Sequence, residues 1–367
     1  MPATWRTELS YRCSTTHVRN ITFEYAPQSI QVKYWLAILL FLHVFDIAAQ
    51  DPNFSQFFAS PLTLNPALTG KFNGTIRVAG NYRNQWPAIN SAFRTATASV
   101  DGSMLQNRIP EMDRFGVGLM GMYDMNGDGV MKNNYLHASV AYHKALDDIG
   151  YHSLGVGFSG AYAQRRLDIS KLNFEDELTS LGFTGNTAEI FGNSGFLNMN
   201  YADVNAGVLY SGATSDYNNF YVGASVFHIN RPKVSFQGTD FLLHPRFSVH
   251  GGGYFPVATA TTLFLSGHHQ MQAGAAETIF GAALGLTVNG DYDNSVELYA
   301  GSWVRLRDAI IPYLGLEFSN WRLGISYDVN TSRLSAASRR QGGMEISLIY
   351  IQKHADPNRK KLSCPRF

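Results

Sequence analysis

From Lys71 onward the sequence repeats one pattern: a run of about ten residues in which apolar and small or polar side chains alternate, followed by a turn. Fourteen runs can be counted, at 74–86, 91–101, 114–124, 133–145, 152–165, 200–211, 219–229, 244–255, 261–271, 276–288, 294–304, 309–318, 320–331 and 342–353. In "RFGVGLMGMY", Phe115, Val117, Leu119, Gly121 and Tyr123 share one face, with Gly116 and Gly118 on the other. "HSLGVGFSGAYAQ" does the same with Leu154, Val156, Phe158 and Tyr162. A period of two means strands whose two faces meet different surroundings. A large soluble β-sandwich and a closed membrane barrel both meet that requirement.

The connections separate the two. If the first strand leaves the periplasm, loops after odd strands face outward and are long, and turns after even strands are short. The first set includes "DMNGDGVMKN", the span Arg166 to Met199, "NRPKVSFQGTDFL" and "TSRLSAASRRQ". The second includes "DDIG", "PVATA", "VNGDYDN" and a near-zero turn at Asn320. Two places run against the rule: Gly102 to Asp113 is long for an inward turn, and the outward connections near Gln272 and Arg307 are short. Composition agrees with dispersal of apolar residues, since 45% of the chain is hydrophobic and only 16% is charged. The fold expected is all-β: a transmembrane, antiparallel outer-membrane barrel of about fourteen strands over residues 74–353.

Tyr82, Trp86, Tyr123, Tyr210, Trp303, Tyr313, Trp321 and Tyr350 lie at strand ends and are expected to form the interfacial girdles. Arg77, Arg83, Arg94, Arg246 and Arg322 are expected to face the lumen, because a charge on the lipid face near the midplane costs roughly 2–4 kcal/mol. There they either pair with carboxylates such as Glu297, Glu317 and Glu345 or tune anion passage, and pairing is the favoured reading.

Upstream, "YWLAILLFLHVFDIAA" (Tyr34 to Ala49) follows Lys33 and ends in small residues, the layout of a secretory signal peptide over 32–49. Residues 1–31 are polar and patternless and read as an upstream extension, with Val32 as the true start. Residues 354–367 read as a periplasmic tail. Cys13 and Cys364 are the two cysteines, so an exported product holds one and forms no internal disulfide.

No enzymatic motif survives inspection. Asp124, Asn126 and Asp128 begin like a calcium loop, but the twelfth place is Tyr135 instead of a bidentate Glu. His268 and His269 are strand neighbours that point to opposite faces. "GVGFSGA" lacks the last glycine of a nucleophile elbow, and the acidic span holding Asp168, Glu175, Asp176 and Glu177 contains no histidine. No catalytic residue, cofactor, metal or nucleic acid is expected, and basic and acidic residues nearly balance at 29 and 28.

The stretch "QDPNFSQFFASPLTLNPALTG" (Gln50 to Gly70) has neither helical nor strand period, and its prolines exclude it from a central strand. It closely resembles the start of the PorP/SprF family of type IX secretion system membrane proteins. The likeness continues through "YRNQWP", "DVNAGVLY", "VGASVFHINRPKVSF", "GISYDVNTSRL", "GGMEISLIY" and the terminal "CPRF". Phe58 and Thr63 stand where the family often has Tyr, and the leader is foreign to it. The resemblance implies an outer-membrane protein that works with the type IX machinery. Some members contact its periplasmic ring lipoprotein in secretion and gliding; others help export one large adhesin and hold it at the cell surface through its C-terminal sorting domain. Adhesin anchoring is the first reading and core component the second, with a general diffusion porin as the competing class.

Three groups of residues carry these expectations. Asp51, Pro52, Phe54, Ser55, Gln56, Phe57, Asn65 and Pro66, within segment 50–73, are expected to plug the periplasmic mouth, with Asn65 and Gln56 bonding to the wall. Tyr82, Arg83, Asn84, Gln85, Trp86 and Pro87 form the first-strand motif. Asp168, Phe174, Glu175, Asp176, Glu177 and Phe183 form the candidate partner loop.

Overall fold

The computed structural model describes residues 51–353 apart from 90–92, 107, 181, 186, 189–194, 216, 237–238 and 290–295. The leader, the signal peptide and the C-terminal tail lie outside the described residues. Fourteen strands close into one antiparallel barrel. They are β1 (Ile76–Gln85), β2 (Phe93–Met104), β3 (Arg114–Asn126), β4 (Met131–Ala145), β5 (Ser153–Asp168), β6 (Phe196–Gly212) and β7 (Asn219–Phe227), then β8 (Arg246–Ala258), β9 (Thr261–Gln272), β10 (Ala275–Asn289), β11 (Val296–Arg305), β12 (Ala309–Phe318), β13 (Trp321–Asn330) and β14 (Gln341–Gln352). The runs read from alternation coincide with these strands, differing only by a few residues at their ends. Each strand pairs with the next, and β1 pairs with β14 along its whole length, from Ile76 opposite Gln352 to Gln85 opposite Gly343. Closure gives each of the fourteen strands a neighbour on both sides, as hydrocarbon requires of a sheet.

The two faces follow the alternation. On β5, Leu154, Val156, Phe158 and Tyr162 are exposed on the outside, while Ser153, Gly155, Gly157, Ser159, Ala161 and Ala163 are buried inside. Leu119, Leu136, Val222, Phe280 and Leu314 continue the outer band on other strands. Half-exposed leucines all round a barrel are costly in water and at home in lipid.

Connections after odd strands include 169–195, 228–245 and 331–340; those after even strands include 146–152, 213–218 and the two-residue turns 259–260 and 319–320. The long-loop end is therefore the outer one and the short-turn end the periplasmic one. Both exceptions noted in the sequence are real: 105–113 is long, and 273–274 is a two-residue turn. Two loops carry small hairpins of their own, Leu178–Thr179 with Gly182–Phe183 and Lys233–Phe236 with Thr239–Leu242.

Three expectations about side chains need correction. Trp303 and Tyr313 are not girdle residues: they are 1% and 2% exposed and point into the lumen. Their parity decides this, since Leu298 and Val304 on β11, and Ile310 and Leu314 on β12, face outward. Arg94 does not face the lumen. On β2 the inward set is Thr95, Thr97, Ser99 and Asp101, so Arg94 is exposed on the outer face. It stands at the outer end of its strand, opposite Asn84 and Met125, where the cost of a charge fades toward the interface. Tyr82, Tyr123 and Trp321 do lie exposed on the outer face, and the Trp321 ring packs on Tyr350, tilted by 53° at a centroid distance of 4.8 Å.

Candidate functional site

A barrel of fourteen strands is too wide for its own inward side chains to fill. The space is occupied by residues 51–72. Phe54, Phe57, Leu62, Leu64, Ala67, Leu68 and Phe72 are all 5% exposed or less. Phe57, Leu64, Ala67 and Leu68 meet a wall cluster that includes Leu209, Tyr221, Phe264, Ile279, Tyr299, Trp303, Ile311 and Tyr313. Phe58 lies 5.0 Å from Trp303 and 5.6 Å from Tyr313, ring to ring. At about 1.5–3 kcal/mol for each large side chain removed from water, this packing stabilises the segment by something on the order of 10 kcal/mol before entropy is counted.

The segment is irregular for a reason. Its backbone must pair its own polar groups inside the barrel, and three prolines, Pro52, Pro61 and Pro66, rule out a ladder with the wall. It does so in three short turns, Phe57–Ala59, Pro61–Leu64 and Pro66–Leu68, with a proline opening the second and third. Asn65 joins them: its Oδ1 accepts from Ala67 N at 2.8 Å, and its Nδ2 donates to Val208 O at 2.9 Å and lies 3.0 Å from His250 Nε2. The wall makes room with glycine. A Cβ on Gly207 would overlap Asn65 Oδ1, and one on Gly157 would overlap the Ala67 backbone.

The segment is not confined to the periplasmic mouth, as the sequence reading expected; it runs the height of the lumen. At the outer end, Asp51 N donates to Gln272 Oε1 at 2.8 Å, and the Asp51 carboxylate lies 2.6 Å from His228 Nε2 and 3.5 Å from Arg246 Nε. At the periplasmic end, Gly70 N donates to Asp101 Oδ2 at 2.8 Å and Arg114 donates to Gly70 O and Phe72 O. Polar partners are available all along the wall, so nothing stops the chain at the mouth. Asp203 holds the other side of His228, 3.0 Å from Nδ1. Burial on its own lowers the pKa of that ring, but the carboxylates of Asp203 and Asp51 outweigh burial and hold it up at about 9.

Between these ends the segment is held by buried charge. Ser55 Oγ donates to Asp328, and Ser55 N and Gln56 N donate to the Glu345 carboxylate at 2.8 and 3.0 Å. Gln56 Nε2 donates to Ser326 Oγ at 3.0 Å, and Ser347 Oγ donates to Gln56 Oε1 at 2.6 Å. Arg305 reaches Glu277, Asp308 and Asp328 at 2.9–3.1 Å and donates to Ser55 Oγ. Lumen arginines are thus paired: Arg77 with Asp101 at 2.7 Å, Arg83 with Asp328 at 3.0 Å, Arg322 with Glu317 at 2.6 Å. Among the described residues no group of three or more His, Cys, Asp or Glu is arranged to hold a metal.

In the first-strand motif Arg83 points inward to Asn53 and Asp328, while Tyr82 points out. Asn84 and Gln85 finish the strand, Trp86 turns the chain at φ +54° with its ring 5.4 Å from Phe93, and Pro87 is exposed. In the outer loop Glu175, Asp176 and Phe183 are exposed, Asp168 and Phe174 are half-buried, and Glu177 is buried. Asp176 accepts from Thr187 Oγ1 at 3.0 Å and Ala188 N at 2.6 Å, which ties the loop to itself. The loop that folds over the lumen is instead the one after β7: Val234 packs on Ala163, Met199 and Tyr201.

Sequence reasoning missed His228, Asp203, Arg305, Asp328 and Asp101. The signal was present as parity, because each sits on the inward face or one step beyond a strand: Asp203 in "DVNAGVLY", His228 in "FHINRP", Asp328 in "SYDVN", Asp101 in "SVDGS" and Arg305 in "SWVRLRD".

A family model described as type IX secretion system membrane protein PorP/SprF matches residues 46–350. The chain belongs to the PorP/SprF family. Several motifs that carry the resemblance supply inward residues that meet the lumen segment, namely Gly207, Gly223 and Ser225, Ser326 and Asp328, and Glu345 and Ser347, while Asp203 acts through His228. This PorP/SprF protein is an outer-membrane barrel of the type IX secretion system. A search of curated proteins finds no match. Solved barrels resemble it only loosely. The Pseudomonas putida toluene transporter TodX is 10% identical over 83% of this chain and 98% of its own, with a TM-score of 0.48. A Pseudomonas aeruginosa FadL homologue is 10% identical over 78% and 92%, at 0.42, and the translocator domain of autotransporter NalP from Neisseria meningitidis is 10% identical over 88% and 97%, at 0.31. These values add nothing to the closure read from hydrogen bonds.

Proposed function

We propose that this PorP/SprF protein is a sealed platform without enzymatic activity, which supports export of a large adhesin and holds it at the cell surface through the adhesin's C-terminal sorting domain. The observation behind the proposal is the filled lumen. With residues 51–72 packed from one end to the other, the barrel offers a partner its outer loops and not a pathway. The loop 169–195 presents the apolar pair Leu178 and Phe183 beside the acidic Glu175 and Asp176. Deletion of residues 170–194 is expected to release the adhesin from the surface while the barrel still assembles, judged by whole-cell immunolabelling and by heat-modifiable migration. Unchanged adhesin retention on an assembled barrel sinks the proposal.

The second reading, a core component that contacts the periplasmic ring lipoprotein, draws on a different surface. Leu105, Leu146, Ile149 and Tyr217 are exposed on three consecutive periplasmic turns, with Tyr217 at 76%. A photo-crosslinker in place of Tyr217 that captured the ring lipoprotein would favour it.

A further inference from the structure

We infer that the lumen segment is the template on which the barrel closes, with Asn53 to Ala59 as the clasp of the β1–β14 seam. The first ground is reach. Between Asp51 and Phe72 the segment touches every strand: Arg83, Asp101, Arg114, Ser139, Gly157, Val208, Ser225, Arg246, Gln272, Glu277, Trp303, Tyr313, Asp328 and Glu345 are one contact each for β1 to β14. No single strand touches more than two others in the ladder.

The second ground is where the polar bonds concentrate. Arg83 on β1 donates to Asn53 O and Oδ1; Glu345 and Ser347 on β14 bind Ser55 and Gln56; Ser326 and Asp328 on β13 bind the same two residues. Ala59 packs against Ala79 of β1 and Ile349 of β14, which face each other in register across the seam. The seam joins the strands furthest apart in the chain, so its closure bears the largest loop entropy. The β13–β14 pairing already places Glu345 beside Asp328, and the seam brings Arg83 opposite Glu345 and within 3.0 Å of Asp328. The hydrogen-bond donors to the Glu345 carboxylate are two N–H groups of the segment, and Arg83, opposite it in register, donates to Asn53 and Asp328, so the segment ties the charges of β13, β14 and β1 into one cluster. A segment that binds β13, β14 and β1 together offsets that loop entropy in one step.

The test separates closure from folding in general. In a Cys13→Ser, Cys364→Ser background, the pair Tyr82→Cys and Ile346→Cys reports the seam, and Tyr162→Cys with Ala202→Cys reports the opposite wall. During refolding into detergent micelles, a chain lacking residues 51–68 is expected to form the wall disulfide and not the seam disulfide. A synthetic peptide of residues 51–68 added in trans is expected to restore the seam, and one with Ser55→Ala and Gln56→Ala to restore it about tenfold more slowly. The inference is overturned if the deleted chain closes its seam unaided, if the intact peptide restores nothing, or if a scrambled peptide serves equally well.

Discussion

Asn65 carries more structure than any other side chain of the lumen segment. It is fully buried, caps one turn and binds the β6 backbone, against glycines at 207 and 223 that leave room for it. Asn65→Ala removes these bonds and strands the acceptors they serve, so a loss of about 2–4 kcal/mol is expected, read as a lower midpoint of heat-modifiable migration. Gly207→Ala is expected to cost a comparable amount by driving a methyl into the Asn65 amide. Applied together, the two substitutions should cost about 1 kcal/mol or more below their sum, since the small side chain vacates the space the methyl needs. At the outer end His228 gives the segment a pH dependence. Its folded-state pKa of about 9 lies above the ordinary 6.5, so its contribution is complete below pH 6.5 and is lost as pH rises through 9. The midpoint should therefore fall between pH 6.5 and 9.5, and His228→Asn should flatten that fall; equal slopes in the two proteins would remove His228 from the account.

Among the elements, the loop after β7 separates what is outside from what is inside. Its hairpin puts Val234 and Leu243 against Met199, Tyr201 and Tyr135, inward residues of the tall strands β4 and β6. Removing residues 233–242 is expected to leave the barrel closed and to open this cluster to water. With Met199→Cys as reporter, a membrane-impermeant maleimide should label whole cells at least about tenfold faster after the deletion, because burial governs access to a thiol. The strands themselves were legible in the sequence because lipid outside and packed protein inside impose a strict period of two. The girdle was less so: Trp303 and Tyr313 have the residue types of an interface, and only counting parity from Leu298 and Leu314 turns them inward. The path of residues 51–72 was the least legible, since a segment without a period takes its course from partners two hundred residues away, as Asp51 does from His228 and Gln272.

On the scale of the whole molecule the same residues that close the barrel also fill it. Arg305, Asp328, Glu345 and Arg83 hold the segment from the wall, Trp303 and Tyr313 pack on Phe58, and the outward faces of those strands are apolar for lipid. Arg77, Arg83, Arg305 and Arg322 each pair with a carboxylate within the barrel, which weakens their pull on ions along the axis. An unplugged barrel of this strand number would conduct, as water-filled porins do. Purified protein in planar bilayers is therefore expected to be silent at both polarities. The Ser55→Ala, Gln56→Ala variant, which keeps the apolar packing but releases the clasp, is expected to give brief, irregular openings. Steady, voltage-insensitive conductance from the intact protein would mean that the segment leaves the lumen in a bilayer, and would return the diffusion-pore reading to first place.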